Sequence, residues 1–183
     1  MEWIKTKRTY NWHAVYLRYR TEKKVYEELL CKGIDCYLPL RVTRRVWSDR
    51  IKTIEEPLLP GYVFVRVSID EYYDVLLTTG VLRYVTFDNK PAVIPECQIQ
   101  ALKSFLEYDN SGVKVSTERI VKGNMVKITS GPLKGVMGEV VNVRGKKWIM
   151  IRFEKLGYAV QVDLGLNEIE ILKDPASKRR VSA

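Results

Sequence analysis

Seven of the eleven glycines fall between residues 123 and 165, where they divide the chain into short alternating apolar runs: NMVKIT, GEVVNV, KWIMIRF, YAVQVDL and EIEIL. No other feature narrows the fold as much. About five strands within roughly fifty residues leave their edges open unless the sheet closes on itself, so a small closed barrel is expected. Glycine supplies the positive φ that tight turns between twisted strands demand. Gly131, Gly135 and Gly138 of GPLKGVMGEV are assigned to such turns. A phosphate-cradling loop is the competing reading. A P-loop needs a glycine, four intervening residues and then Gly-Lys-Ser/Thr, whereas Lys134 precedes Gly135 here and no hydroxyl follows. The dinucleotide fingerprint needs GxGxxG between a strand and a helix. Only Gly135 and Gly138 keep GxxG spacing, and EVVNVRGKKWIMIRF reads as strand, turn and strand. The glycines therefore shape a barrel.

Upstream the pattern differs. WHAVYLRYR (12 to 20) alternates and is rich in aromatic and β-branched residues, which reads as a strand. TEKKVYEELLCKG (21 to 33) is helical: Val25 with Leu29 and Tyr26 with Leu30 form one stripe, Thr21 caps its start and Gly33 ends it. CYLPLRVTRRVW and RIKTIEEPLL read as two strands around a Ser48-Asp49-Arg50 turn, with Pro39 and Pro57 marking them as edge or irregular strands. GYVFVRV (61 to 67) is the clearest strand. Ser68 and Glu71 form a capping box for a helix through Leu77, closed by Gly80. VLRYVTF and AVI flank an Asp88-Asn89-Lys90 turn, and Pro95 starts a helix with Ile99, Leu102 and Phe105 on one face. The order is that of a split βαβ antiparallel sheet with flanking helices, so the fold class is α+β. EYDNSGVKVSTER (107 to 119) lacks a helical period and reads as a linker.

Hydrophobic residues make up 46 % of the 183, which is enough for packed cores, and no apolar run reaches membrane-spanning length. The N-terminus has no signal-peptide core, and Cys31, Cys36 and Cys97 form no disulfide framework, which points to a cytoplasmic protein with reduced thiols. The net charge of +9 is segregated: +7 in residues 1–52, −5 in 53–110 and +7 in 111–183. Clustered cations gain affinity for a polyanion by releasing its counterions. Nothing points to catalysis, a metal or a cofactor. His13 is the single histidine. Glu55 and Glu56 point to opposite faces of a strand, and Glu168 with Glu170 reads as a solvated pair.

VKGNMVKITSGPLKGVMGEVVNV resembles a KOW motif, and the residues around it resemble the C-terminal domain of the NusG family of transcription elongation factors. WHAVYLRYRTEKKVYEELLCKGIDCYLPL, EEPLLPGYVFVRV, TTGVLRYVTF and KPAVIP occur in the order of that family's NGN domain. The resemblance implies an NGN-like domain over 1–106, a linker over 107–119, an SH3-like KOW barrel over 120–174 and a basic tail over 175–183. It implies a monomeric, non-enzymatic factor that binds the clamp helices of the largest RNA polymerase subunit and suppresses pausing. The clamp-binding residues carried over are Leu59, Pro60, Tyr62 and Phe64. Among its members the chain looks most like the specialised RfaH/UpxY-type paralogues, operon-specific antiterminators that read single-stranded non-template DNA. Cationic grooves and planar side chains serve that purpose. Arg18, Arg20, Lys23 and Lys24 around the first helix, with Arg41, Arg44, Arg45, Trp47 and Arg50 on the hairpin, are the DNA-binding residues expected. Arg18 stands where such a paralogue has a DNA-contacting lysine, whereas Glu28, Cys31 and Thr79 depart from that pattern, so the base preference differs. The barrel is expected to dock ribosomal protein S10 or Rho. A general NusG-type factor is the alternative within the family, and a ribosome-associated KOW protein binding RNA is the alternative outside it.

Overall fold

Alternation and helical stripes become a five-stranded sheet, a six-stranded sheet and three helices in the computed structural model, which describes residues 8–46, 51–110, 112–116, 123–143, 146–165 and 169–172. The chain divides into two compact units: Met1–Leu40 with Ile54–Glu96, and Arg41–Thr53 with Cys97–Ala183.

In the first unit, β1 (Asn11–Leu17) leads into α1 (Glu22–Cys31) and β2 (Asp35–Tyr37). After a hairpin arm come β5 (Tyr62–Val67), α2 (Tyr72–Leu76), β6 (Val81–Tyr84), and the short strands β7 (Thr86–Phe87), β8 (Lys90–Pro91) and β9 (Val93–Ile94). The sheet order is β2-β5-β1-β6, with β9 also paired to β1, and β1 runs antiparallel to β5, β6 and β9. The helical stripe works as expected: Val25 and Leu29 are fully buried against Val15, Leu17, Val63, Val65, Val67 and Tyr84. Gly33 ends α1 at φ +73, its N–H bonding to the Leu30 carbonyl. Thr21 does not cap the helix; its hydroxyl donates to the Arg18 carbonyl at 2.8 Å. Of the expected capping box, the carboxylate half forms, with Glu71 Oε2 accepting the Ser68 N–H and hydroxyl at 2.9 and 3.0 Å, while α2 begins only at Tyr72. Asp88 and Asn89, at φ 50 and 60, make the left-handed turn between β7 and β8.

The arm comprises β3 (Leu40–Val46) and β4 (Ile51–Pro57), a two-stranded sheet whose residues Arg41–Thr53 group with the second unit. There the Val42 N–H donates to Asn110 Oδ1, just beyond α3 (Glu96–Tyr108). Ile99, Leu102 and Phe105 of α3 are buried, as its period predicts.

All five glycine-bounded runs are strands: β11 (Asn124–Ile128), β12 (Met137–Val143), β13 (Lys146–Phe153), β14 (Tyr158–Asp163) and β15 (Ile169–Ile171). Lys114–Ser116, inside the stretch read as a linker, forms a sixth, β10. The antiparallel order is β10-β14-β13-β12-β11-β15. Among the described residues no pairing joins β10 to β15, so the closed barrel is not observed; each of these end strands is three residues long and covers little of its neighbour. Both faces of β13 are apolar, with Ile149 and Ile151 on one and Met150, packed with Val141 and Ala159, on the other. The Arg152 Nε binds both Glu139 carboxylate oxygens at 2.8 and 2.9 Å.

Candidate functional site

Period two divides the first sheet into two faces. Val63, Val65 and Val67 of β5 face the core with α1, so Tyr62 and Phe64 face the other way. Register places Tyr62 opposite Tyr16, Phe64 opposite Ala14, and Tyr37 of β2 beside Phe64. The rings of Tyr16 and Tyr62 lie 5.3 Å apart and those of Tyr37 and Phe64 6.5 Å apart. The turn before β5 depends on Gly61, whose φ is +81. Its carbonyl accepts the Leu17 N–H at 2.9 Å and its N–H donates to Glu22 Oε1 at 2.8 Å. A Cβ there would lie 3.3 Å from the Tyr16 ring.

Of the four residues expected in the clamp-binding patch, Pro60 is exposed and Tyr62 half-buried, while Leu59 and Phe64 are fully buried. Tyr16, 38 % exposed, joins the surface pair, a position that the resemblance does not single out. Alternation places it with Trp12 and Ala14, but only the β1–β5 register sets it against Tyr62. Arg83 pairs with Tyr16 across β1 and β6, its guanidinium 5.8 Å from the Tyr16 ring centre.

Immediately after β1, Arg18, Tyr19 and Arg20 are all exposed, as are Lys23 and Lys24 in the first turn of α1. The strand stops at Leu17 because the Arg18 N–H turns to the Gly80 carbonyl at 2.8 Å and the Thr21 N–H closes back on the Arg18 carbonyl at 3.2 Å. Arg20 stands at φ 60 with its guanidinium 5.0 Å from the Tyr19 ring centre. Glu28 and Thr79, two of the departures noted in the sequence, meet each other: Glu28 Oε1 accepts the Thr79 N–H at 3.3 Å and lies 3.6 Å from Lys32 Nζ.

On the arm, Arg41 is half-buried and Arg44 exposed; Arg45 lies in β3, while Trp47 and Arg50 fall outside the described residues. Val46 and Ile51, 80 % and 69 % exposed, stand at the ends of β3 and β4. Gly131 and Gly135 occupy the turn between β11 and β12 at φ 80 and 90. Gly138, expected in a turn, lies within β12, where a Cβ would come within 2.7 Å of the Met150 carbonyl oxygen.

The residues with catalytic potential have structural partners. The His13 Nδ1–H donates to the Ala92 carbonyl at 3.1 Å, and Trp12 Nε1 donates to Glu96 Oε2 at 2.6 Å. Among the described residues no cluster of three His, Cys, Asp or Glu could hold a metal ion, and no helix is long and apolar enough to cross a membrane. Cys31 and Cys97 are exposed. Cys36 is buried, and burial, followed by the nearby Asp35 carboxylate, pushes its thiol up to about 12.

Residues 10–103, just over half the chain, match the family model described as transcription termination factor NusG. The chain is 24 % identical to the transcription termination/antitermination protein NusG of Lactococcus lactis subsp. lactis (strain IL1403) over 173 residues, covering 87 % of this chain and 91 % of that one. Among solved structures, one of Thermotoga maritima NusG concerned with its domain interaction matches at 22 % identity, over 90 % of this chain and 98 % of that chain, with a TM-score of 0.49. The MjSpt4:Spt5 complex in conformation A matches at 17 % identity, over 88 % of this chain and 99 % of that chain, with a TM-score of 0.30.

Proposed function

The chain belongs to the NusG family of transcription factors, and from that premise we propose that it binds elongating RNA polymerase, suppresses pausing, and acts as an operon-specific antiterminator by contacting the non-template strand. One observation carries the reading. At the end of β1, Tyr16 packs on Tyr62 beside exposed Pro60, and within four residues the chain turns through the exposed cations Arg18 and Arg20. An aromatic surface suited to a protein partner thus adjoins a cationic one suited to phosphates. In this reading Pro60, Tyr62 and Tyr16 meet the clamp helices of the largest subunit, and Leu59 and Phe64 are the buried members of the same patch. Arg18, Arg20, Lys23 and Lys24 are the DNA contacts of the first unit, and Arg41, Arg44, Arg45, Trp47 and Arg50 are those of the arm. Residues 1–106 act as the NGN-like domain, 107–119 as the linker and 120–174 as a KOW domain of SH3-like type, supported by its five glycine-bounded antiparallel strands. The KOW domain docks ribosomal protein S10 or Rho, and the factor works as a cytoplasmic monomer.

A general NusG-type factor is the second reading, favoured by Glu28. Its carboxylate is engaged by the Thr79 N–H and lies close to Lys32, so it holds α1 to the turn before β6 instead of reading a base. Transcription in vitro on many templates, with and without the protein, separates the two. Antitermination confined to templates with one leader element supports the specialised reading, whereas altered elongation on nearly every template supports the general one. Replacing both Tyr16 and Tyr62 with alanine should weaken polymerase binding by roughly tenfold or more, as loss of central aromatic anchors does. Unchanged binding by that variant counts against the assigned surface.

A further inference from the structure

The turn that follows β1 combines three features that packing alone does not explain. Tyr19 is 78 % exposed, so its ring contributes little burial to the fold. Arg20 adopts φ 60, a conformation that side chains other than Gly, Asn and Asp rarely take. The other non-glycine residues with positive φ among those described are Asp88 and Asn89, which tolerate it; Arg20 is the long side chain among the three. The turn is also held rigidly: the Arg18 N–H is tied to Gly80, and the Arg18 carbonyl accepts both the Thr21 N–H and the Thr21 hydroxyl. With that backbone the Arg20 guanidinium stands 5.0 Å from the Tyr19 ring centre. Strain held in place by surrounding hydrogen bonds marks a site whose geometry serves a purpose other than stability.

We propose that Tyr19 and Arg20 form a base-stacking platform for single-stranded DNA. The exposed aromatic ring and the guanidinium plane beside it present flat π surfaces of the kind on which unpaired bases stack, and such stacking tolerates every base. Phosphates on either side of the stacked base meet Arg18, Lys23 and Lys24, all exposed. Of the acidic side chains at this end, Glu22 is turned inward onto Gly61 and Glu28 is bound to Thr79 beside Lys32; Glu27 is exposed on α1, where Arg18, Arg20, Lys23 and Lys24 outnumber it. A duplex hides its base faces inside the stack, so the platform selects the single-stranded state. The proposal rests on the reading of this end of the molecule as a DNA surface, and it names the residue and the contact by which a base is held.

The test uses the full chain bound to an RNA polymerase elongation complex whose non-template bubble carries 2-aminopurine at successive positions. Stacking on an aromatic ring changes the fluorescence of that base. The expected result is a change at one position with the wild type, its loss in Tyr19→Ala and its retention in Tyr19→Trp, with polymerase binding equal in all three. Affinity for a mixed-sequence single-stranded oligodeoxynucleotide should fall roughly tenfold in Tyr19→Ala, within the range expected for one lost stacking contact. Arg20→Gly removes the backbone strain along with the guanidinium. It should unfold at the same or a higher temperature while binding the oligonucleotide more weakly, a combination that a purely structural Arg20 does not produce. If the wild type binds the complex but no position responds, or Tyr19→Ala behaves as wild type in both assays, the platform is overturned and polymerase binding stands. If the wild type fails to bind polymerase, the wider functional reading falls, and the oligonucleotide series still decides the platform. Loss of polymerase binding by Tyr19→Ala on a complex with no single-stranded bubble would show that the ring docks protein, which also overturns it.

Discussion

Glu22 lies in the first turn of α1 with 7 % of its surface exposed, and its carboxylate accepts the Gly61 N–H at 2.8 Å. That bond ties the helix to the turn from which Pro60 and Tyr62 project. Glu22→Ala leaves the half-buried Gly61 N–H without that acceptor, a loss of about 1 kcal/mol. Glu22→Gln keeps an acceptor oxygen and should lose clearly less. Urea unfolding followed by tryptophan fluorescence would rank the two, and equal midpoints for Glu22→Ala and wild type would remove the bond from the account. In the sequence Glu22 is an ordinary first-turn acid, because nothing local relates residue 22 to residue 61. The same limit hid Tyr16, whose partner is set by strand register. Tyr19 was absorbed into the strand reading of WHAVYLRYR, since alternation continues past Leu17 and only the turn to Gly80 and the positive φ of Arg20 end the strand. Exposure of Arg18, Lys23 and Lys24 was legible from charge alone, because an ammonium or guanidinium is costly to bury.

Secondary structure was most legible where the period was long and the punctuation strong. α1, β5, α3 and the five glycine-bounded strands all stand where their patterns place them. β10 is hard to read from the sequence because Lys114-Val115-Ser116 is only three residues long with one apolar side chain; its pairing with β14 is a tertiary fact. The glycines separate into two kinds that the motif alone does not distinguish. Gly135 has φ +90 and open space where a Cβ would sit, so Gly135→Ala should cost about 1–2 kcal/mol of backbone strain alone. Gly138 lies in β12, where a Cβ would crowd the Met150 carbonyl at 2.7 Å and Ile149 Cγ1 at 3.0 Å. Gly138→Val adds further atoms in that narrow space and forces β12 away from β13. The expected loss exceeds that of Gly135→Ala, in the range of about 1–3 kcal/mol or more for overpacking. Thermal unfolding of the two variants checks the order, and a Gly138→Val protein as stable as wild type would mean that the strands separate freely there.

At the scale of the whole molecule, the sequence carries a charge segregated along the chain and a change from mixed helix and strand to strand alone. What composition cannot convey is which titratable groups share a core. Cys36 and Tyr84 lie in one apolar cluster of the first unit, 8 % and 1 % exposed. The Cys36 S–H points to the Tyr26 carbonyl and the Tyr84 hydroxyl donates to the Tyr72 carbonyl. Burial raises the thiol from 9.0 to about 12, and burial also raises the Tyr84 phenol, with Tyr72 and then Glu71 adding to the effect. Both groups are neutral when protonated, and both hold their protons more tightly folded than unfolded. Their contribution is therefore fully present below the unfolded value and declines as pH rises through the interval up to the folded one. For Cys36 that interval begins near 9.0. Each such group lowers stability by up to about 1.4 kcal/mol per pH unit within its interval. The urea midpoint should thus hold up to about pH 9 and fall as pH rises above it, and fall less steeply in Cys36→Ala, which removes one of the two ionisations. A Cys36→Ala protein that keeps the full wild-type decline would assign the alkaline loss to groups other than this thiol. The same burial predicts that iodoacetamide at pH 8 modifies Cys31 and Cys97 in the folded protein, while Cys36 reacts only as the first unit unfolds.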